Sequence, residues 1–199
     1  MGFIISLTLF PGTVWLAKVG ANGTKVQVLV VGSAFALSQF IWLLVAIPGL
    51  MIMTRNLSNV EAGIHWFAAF VLTYMAYKMF RTRRADSLQI SKTMPPVAEL
   101  FGSTFSRALA MPMRLPIAMA VLLSTGVYIS NPSAWSSVPP VLLGALIGVG
   151  CWWGQFSFLA AFFVKSVPPP ITLKSLNKIR PFCAVLYLFL AARALFLIG

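Results

Sequence analysis

Charge is scarce in this sequence, and negative charge is almost missing. Only 9% of its 199 residues are charged, whereas soluble domains carry ~25%. So few charges cannot cover the water-facing surface of a chain of this length, and 59% of the residues are hydrophobic. The composition therefore excludes a soluble enzyme, a coiled coil and a disordered chain, and it indicates an integral membrane protein.

The residue groups that build catalytic and metal sites are also missing. Intramembrane metalloproteases and phosphotransferases need acidic or histidine pairs at helical spacing. The sequence has 3 acidic residues and 1 histidine, with no metal cluster, nucleophile triad or phosphate-binding loop. Its 2 cysteines lie in apolar runs without metal-ligand spacing. We therefore expect no enzymatic activity, no cofactor and no metal site.

Positive charge is the one excess, with a net charge of +12. In a soluble chain such an excess would indicate nucleic-acid binding. In a membrane protein the basic residues instead face the anionic cytoplasmic leaflet. We expect the lipid bilayer and a small-molecule substrate as partners and no nucleic acid, and the sequence leaves a homo-oligomer open.

The apolar segments set the predicted fold. One membrane-spanning helix needs ~20 residues, so the length allows six spans with short loops. Charged residues, prolines and glycines separate six apolar segments, at about residues 2–17, 26–53, 62–80, 105–129, 138–164 and 182–198. The predicted fold class is all-α, a polytopic membrane protein with six transmembrane helices.

A single polar stretch, residues 82–104, divides these segments into three and three. Because three is odd, a repeated second half enters the membrane from the opposite side, as in many transporters built from inverted repeats. We therefore predict two inverted three-helix repeats, residues 1–81 and residues 105–199, joined by a linker at 82–104.

The distribution of basic residues predicts the orientation. Nearly all loop lysines and arginines fall in the first, third and fifth connections, which lie on one side of a six-span protein. Basic loops stay in the cytoplasm. The sequence therefore predicts a multi-pass protein of the inner (cytoplasmic) membrane, with the linker 82–104 inside and both termini outside.

Prolines near the middle of two segments are the first candidates for a binding site. Pro11 precedes Gly12 in the first segment, and Pro112 and Pro116 lie in the fourth. Proline frees backbone carbonyls, and broken helices at matched places in two repeats point to a transporter site. The alternative is that these prolines are ordinary kinks of membrane helices.

Arg114 is the second candidate, because it lies between two of these prolines. An arginine at the bilayer centre costs at least ~2.5–3.5 kcal/mol, so it should face the bundle interior and bind a partner. That partner is either a set of freed carbonyls or an anionic substrate group, unless the side chain reaches the membrane surface. The predicted substrate-binding residues are Pro11, Gly12, Thr13, Gln39, Pro112, Arg114 and Pro116.

Several segments resemble the LysE/RhtB-type family of small bacterial exporters. Residues 9–13 lie where that family has an apolar-Pro-Gly-Pro motif, and residues 70–81 look like its third helix, which contains tyrosine and ends in a basic cluster. Residues 105–107, followed by 115–118, look like the start of its second half, and 152–153 also match. The resemblance implies a six-helix inner-membrane exporter of amino acids, driven by the proton gradient.

The sequence departs from the family pattern at polar and helix-breaking positions. Thr13 replaces a proline, Ser38-Gln39 replaces a Gly-Asp pair, and Leu115 and Ile117 replace an Asn and a Lys. The leading hypothesis is a secondary transporter that exports amino acids or similar small polar metabolites by alternating access. The alternative is a membrane scaffold or subunit that keeps the transporter fold without transport.

Overall fold

A computed structural model describes residues 6, 10–56, 61–81, 87–89, 94–111, 113–124 and 138–196. Within these ranges the regular structure is all α-helical. The helices are α1 Phe10–Asn22, α2 Lys25–Asn56, α3 Glu61–Arg81, α4 Val97–Leu109, α5 Arg114–Ser124, α6 Val138–Phe162 and α7 Pro169–Phe196.

Three helical stretches are long and apolar enough to cross a membrane: Lys25–Leu50, Val138–Phe162 and Pro169–Phe196. The pair α4 and α5 passes the same test together and bends by 66° at its break, so it would make a fourth span. Within the described ranges the protein thus has three or four candidate spans. Six spans are not shown within these ranges, in which α1 has 13 residues and α3 contains many polar and aromatic side chains.

The outer face of the bundle is apolar. Phe70 is 71% exposed, Phe182 is 65% exposed and Ile147 is 64% exposed. Side chains of this size and number are rarely left in water, where a large exposed apolar patch marks an interaction surface. Together with the long apolar helices, this surface supports a membrane protein with a lipid-facing exterior.

Helix boundaries follow the predicted segments closely in α2, α3 and α6 and depart from them in α4, in α7 and at the C-terminal end of α1, which continues past the predicted residue 17 to Asn22. α4 begins at Val97, inside the range 82–104 that the sequence predicts as linker. Its buried residues Leu100, Thr104 and Ala108 recur every four positions, so one face of the helix packs on the bundle. α7 begins at Pro169, since proline is well tolerated in the first helical turn.

Helix packing is dominated by two pairs, α3 with α7 and α2 with α6. α2 also packs against α4 and α5, and α6 also packs against α1. Glycines allow the closest approaches. A methyl group on Gly20 would lie 2.7 Å from the carbonyl oxygen of Ala160, and one on Gly32 would overlap the Ser157 hydroxyl. Small residues of this kind let membrane helices pack backbone to backbone.

Candidate binding site

The middle of α2 brings together several buried polar side chains. We call residues 35–39 the central turn, because they lie halfway along the spanning stretch Lys25–Leu50. Phe35 stacks on Trp153 of α6, with ring centroids 4.7 Å apart and planes 20° apart. Gly12 of α1 lies against both rings, and a methyl group there would come within 3.1 Å of each. The glycine therefore lets α1 approach the aromatic pair.

Gln39 connects three parts of the chain. Its Oε1 accepts a hydrogen bond of 2.9 Å from Trp153 Nε1 and one of 2.8 Å from Ser6 Oγ. The Gln39 side chain is 2% exposed. Because a buried donor without an acceptor is destabilising, this oxygen holds the indole and the hydroxyl in fixed positions.

Arg114 is the first residue of α5 and is 8% exposed. Its Nη1 donates to Ser38 Oγ at 3.2 Å, and its Nη2 donates to Met111 Sδ at 3.7 Å. Its Nε is buried and has no hydrogen-bond partner among the described residues. A guanidinium normally pairs with carboxylates in a two-pronged geometry. Here it has one hydroxyl and one weakly accepting sulfur.

A cavity of about 230 Å³ opens beside the central turn, between α1, α2 and α4. Its walls provide two hydroxyls, one guanidinium and two aromatic rings. They are formed by Gly12, Trp15, Phe35, Ser103, Thr104, Arg107 and Met111. Pockets for drug-sized ligands measure ~300–1,000 Å³, so this cavity matches a smaller metabolite. Met111 links the cavity to Arg114, since it lines the former and its sulfur accepts a hydrogen bond from the latter.

The structure gathers several of the predicted site residues around this turn. Gly12 lines the cavity, and Gln39 is part of the central turn. Arg114 donates a hydrogen bond to Ser38 of the same turn. Thr13 follows Gly12 and is 1% exposed. Pro11 lies in the first turn of α1.

The prolines of the fourth segment are placed differently from the expectation. Pro116 lies in the first turn of α5, after the break rather than within a continuous helix. Proline removes no hydrogen bond there, since the first helical N–H groups have no intrahelical partner. Pro112 lies outside the described residues. The bend between α4 and α5, not a mid-helix kink, is thus the feature next to Arg114.

Sequence reasoning missed the α4 wall of the cavity. Ser103 and Thr104 fell in the predicted linker, and Arg107 was counted as a loop charge. The repeat of buried positions every four residues in α4 is the signal that could have found them. The stacking of Phe35 on Trp153 had no local signal, because it joins positions far apart in the sequence.

The chemistry available at the site is anion binding and hydrogen bonding. The described residues hold no group of His, Cys, Asp and Glu that could bind a metal ion. Two guanidiniums, two hydroxyls and an aromatic wall can hold the polar end and the apolar body of a small molecule. Comparison with known protein families, with curated proteins and with solved structures finds no match for this chain.

Proposed function

We propose that the protein is a secondary transporter that exports amino acids or similar small polar metabolites by alternating access. The observation that carries the proposal is the buried, incompletely bonded guanidinium of Arg114 beside a cavity at the middle of the longest apolar helix. A cation placed in the membrane interior marks a substrate or ion pathway in most membrane proteins.

The energetics of burial favour a ligand for Arg114. Within the described residues it forms no ion pair, and its acceptors are the Ser38 hydroxyl and the Met111 sulfur. A guanidinium binds a carboxylate through two parallel charge-assisted hydrogen bonds, which neither a hydroxyl nor a thioether can provide. A substrate carboxylate would therefore supply what the protein itself leaves out.

The break before α5 also favours an anionic substrate group near Arg114. α5 begins at Arg114, directly after the 66° bend, so a helix N-terminus lies inside the bundle. The N-terminus of a helix carries a partial positive charge. Discontinuous helices of transporters direct such ends at anionic substrate groups.

The proposed architecture is six spans in two inverted repeats, with both termini outside the inner membrane and the part of the linker before α4, residues 82–96, in the cytoplasm. Its support is the packing. α3 pairs with α7 and α2 with α6, as equivalent helices related by a two-fold axis would. α2 also contacts α5 as α6 contacts α1. Transport would move one half against the other, driven by the proton gradient as the family resemblance implies.

Uptake of labelled amino acids into inside-out proteoliposomes, or their release from right-side-out ones, tests the proposal. Arg114→Ala should abolish flux, and Arg114→Lys should restore part of it, since the ammonium keeps the charge without the two-pronged geometry. Losing a buried charge pair costs ~2–5 kcal/mol, a fall in affinity of tens-fold to thousands-fold. Arg193→Ala, at an exposed arginine of α7, is the matched control and should keep normal flux.

Folded protein is measured on the same samples by size-exclusion chromatography. Normal flux per folded molecule in Arg114→Ala would remove Arg114 from the site. Folded wild-type protein that moves none of the amino acids or related metabolites would favour the non-transporting scaffold instead.

A further inference from the structure

The geometry points to a small organic anion as the ligand of this site, with the Met111 thioether occupying the place of its anionic group on Arg114. This inference rests on the proposed function and names the chemical class of its substrate. The three nitrogens of the Arg114 guanidinium differ in their hydrogen-bond partners.

The guanidinium of Arg114 offers two edges. Nη1 is held by Ser38 of the central turn, and this contact fixes the side chain. Nε and Nη2 form the other edge, on which a carboxylate binds with two parallel hydrogen bonds. On that edge Nη2 touches only the Met111 sulfur, and Nε has no partner within the described residues. The edge that recognises carboxylates is therefore occupied by a weak, uncharged acceptor.

Met111 is suited to leave this position. It lies in the break between α4 and α5, is 45% exposed and lines the cavity. Its side chain is unbranched with three rotatable bonds, and its sulfur is a weak hydrogen-bond acceptor. An anion that enters the cavity can displace the thioether and replace a weak contact with a charge-assisted one.

The charges around the cavity select the sign of the ligand. Arg107 lines the cavity and Arg114 contacts Met111, which also lines it, whereas no described carboxylate does. Glu99 is on α4, two turns before Arg107, exposed and outside the cavity wall. Two guanidiniums attract an anion and repel a cation. The ammonium of an amino acid thus has no described carboxylate to pair with here, and the amino acid's carboxylate carries the recognition.

Size and lining define the rest of the ligand. The cavity of about 230 Å³ is walled on one side by Trp15 and Phe35 and on the other by the hydroxyls of Ser103 and Thr104. A small carboxylic acid with an apolar or aromatic body fills such a space.

Three probes of equal size but different charge test the inference on the purified full-length protein in detergent. They are 3-phenylpropionate, phenylalanine and phenylalanine amide, and binding is measured by calorimetry. We expect 3-phenylpropionate to bind at least as tightly as phenylalanine, and the amide to bind at least tenfold more weakly than either. Equal affinity for the amide and the acids would overturn the inference, as would binding of the amide alone.

Substitutions at Met111 test its part in blocking the site. Met111→Ala and the volume-conserving Met111→Leu both remove the competing sulfur, so each should tighten 3-phenylpropionate binding by about 2- to 10-fold. Met113→Ala, at a second exposed methionine two residues away, is the matched control and should leave affinity unchanged. If Met111→Ala is unstable in thermal unfolding, the leucine variant carries the test. Unchanged or weaker binding in a folded Met111→Leu protein would refute the displacement.

The two proposals fail in different ways. If 3-phenylpropionate binds in a manner that depends on Arg114 but no probe is transported in proteoliposomes, the transporter proposal is refuted and the anion site is retained. Flux of phenylalanine amide equal to that of phenylalanine would sink the anion site and leave transport standing.

Discussion

Gln39→Leu is the most direct test of how the central turn is held. Leucine has nearly the volume of glutamine but no acceptor, so the substitution removes the Oε1 to which both Trp153 and Ser6 donate. All three side chains are at most 2% exposed. The indole N–H and the serine hydroxyl would then lose their shared acceptor in a place that water does not reach.

The magnitude follows from the two hydrogen bonds. Interhelical hydrogen bonds in membrane proteins contribute ~0.6 kcal/mol on average and about 1.7 kcal/mol at most. Two such bonds predict that Gln39→Leu lowers the free energy of unfolding by about 1–3.5 kcal/mol. Trp153→Phe removes one donor and keeps a ring to stack on Phe35. In a double-mutant cycle the two substitutions should show a coupling of about 0.6–1.7 kcal/mol.

The assay is reversible unfolding in mixed micelles, followed by tryptophan fluorescence or circular dichroism. Gln155→Leu is the matched control, because this glutamine is exposed on α6. Its replacement by leucine should leave the free energy of unfolding within about 0.5 kcal/mol of the original. If Gln39→Leu is as stable as Gln155→Leu, or if the coupling with Trp153 is zero, the central turn is not held by this network.

Three further predictions concern packing, topology and the helix break. Gly20→Ala should destabilise the protein by about 1–3 kcal/mol in the same unfolding assay, because its methyl would lie 2.7 Å from the carbonyl oxygen of Ala160. Gly144→Ala, which meets no atom within 4 Å, should be neutral or stabilising. In a chain without its native cysteines, Gln89→Cys should be labelled by a membrane-impermeant maleimide only in inverted vesicles, since basic loops stay inside; labelling in intact cells would contradict the topology. Pro116→Ala should insert normally but lower flux, because the new N–H can extend α5 back across the break; unchanged flux per folded molecule would show that the proline is an ordinary first-turn residue.

Apolar runs bounded by charge made much of the fold predictable. α2, α3 and α6 end within a few residues of the predicted segments, because lysine, arginine and turn residues limit how far an apolar helix extends. The break in the fourth segment was predicted from its prolines, and the structure has a 66° bend there. Its position relative to Pro116 was not predictable, since proline is equally compatible with a kink and with a first helical turn.

The start of α4 was missed for a different reason. Range 97–104 is polar enough to read as linker, yet its few apolar residues fall on one face, and that face packs against α2. Hydropathy averaged over a span cannot detect such a stripe, whereas periodicity can. The sequence predicts a shorter α7, because the prolines at 168–170 indicate a break. The helix instead begins at the second of them, Pro169.

The candidate site was predictable only in part: Gly12, Gln39 and Arg114 were among the predicted residues, whereas the other residues that line the cavity and the contacts of the site were not. A buried arginine and mid-membrane glycines can be read from the sequence, since each is rare or costly where it stands. The partners of Arg114 are one residue 76 positions away and one a single turn away, and the indole that bonds Gln39 is 114 positions away. Pairings at such separations depend on how the helices pack, which local patterns do not encode.

The close contacts of α6 have a mechanical consequence. Gly20 of α1 packs against Ala160 of α6, and Gly32 of α2 packs against Ser157. One turn near the C-terminal end of α6 therefore contacts two helices. Those contacts involve little more than backbone, so they do not themselves prevent the helix from pivoting there, although it cannot come closer. The contacts of Trp153 lie one turn away, about 6 Å along the axis, where a tilt moves the helix little. From Ser157 to Val138 the helix extends about 28 Å at 1.5 Å per residue, whereas Phe162 lies only about 8 Å beyond the pivot. A tilt of about 10° would then displace the Val138 end by about 5 Å and the other end by little more than 1 Å. A tilt of α6 about this turn therefore moves the Val138 end much farther than the Phe162 end, so the larger movement occurs on the side of the membrane where Val138 lies.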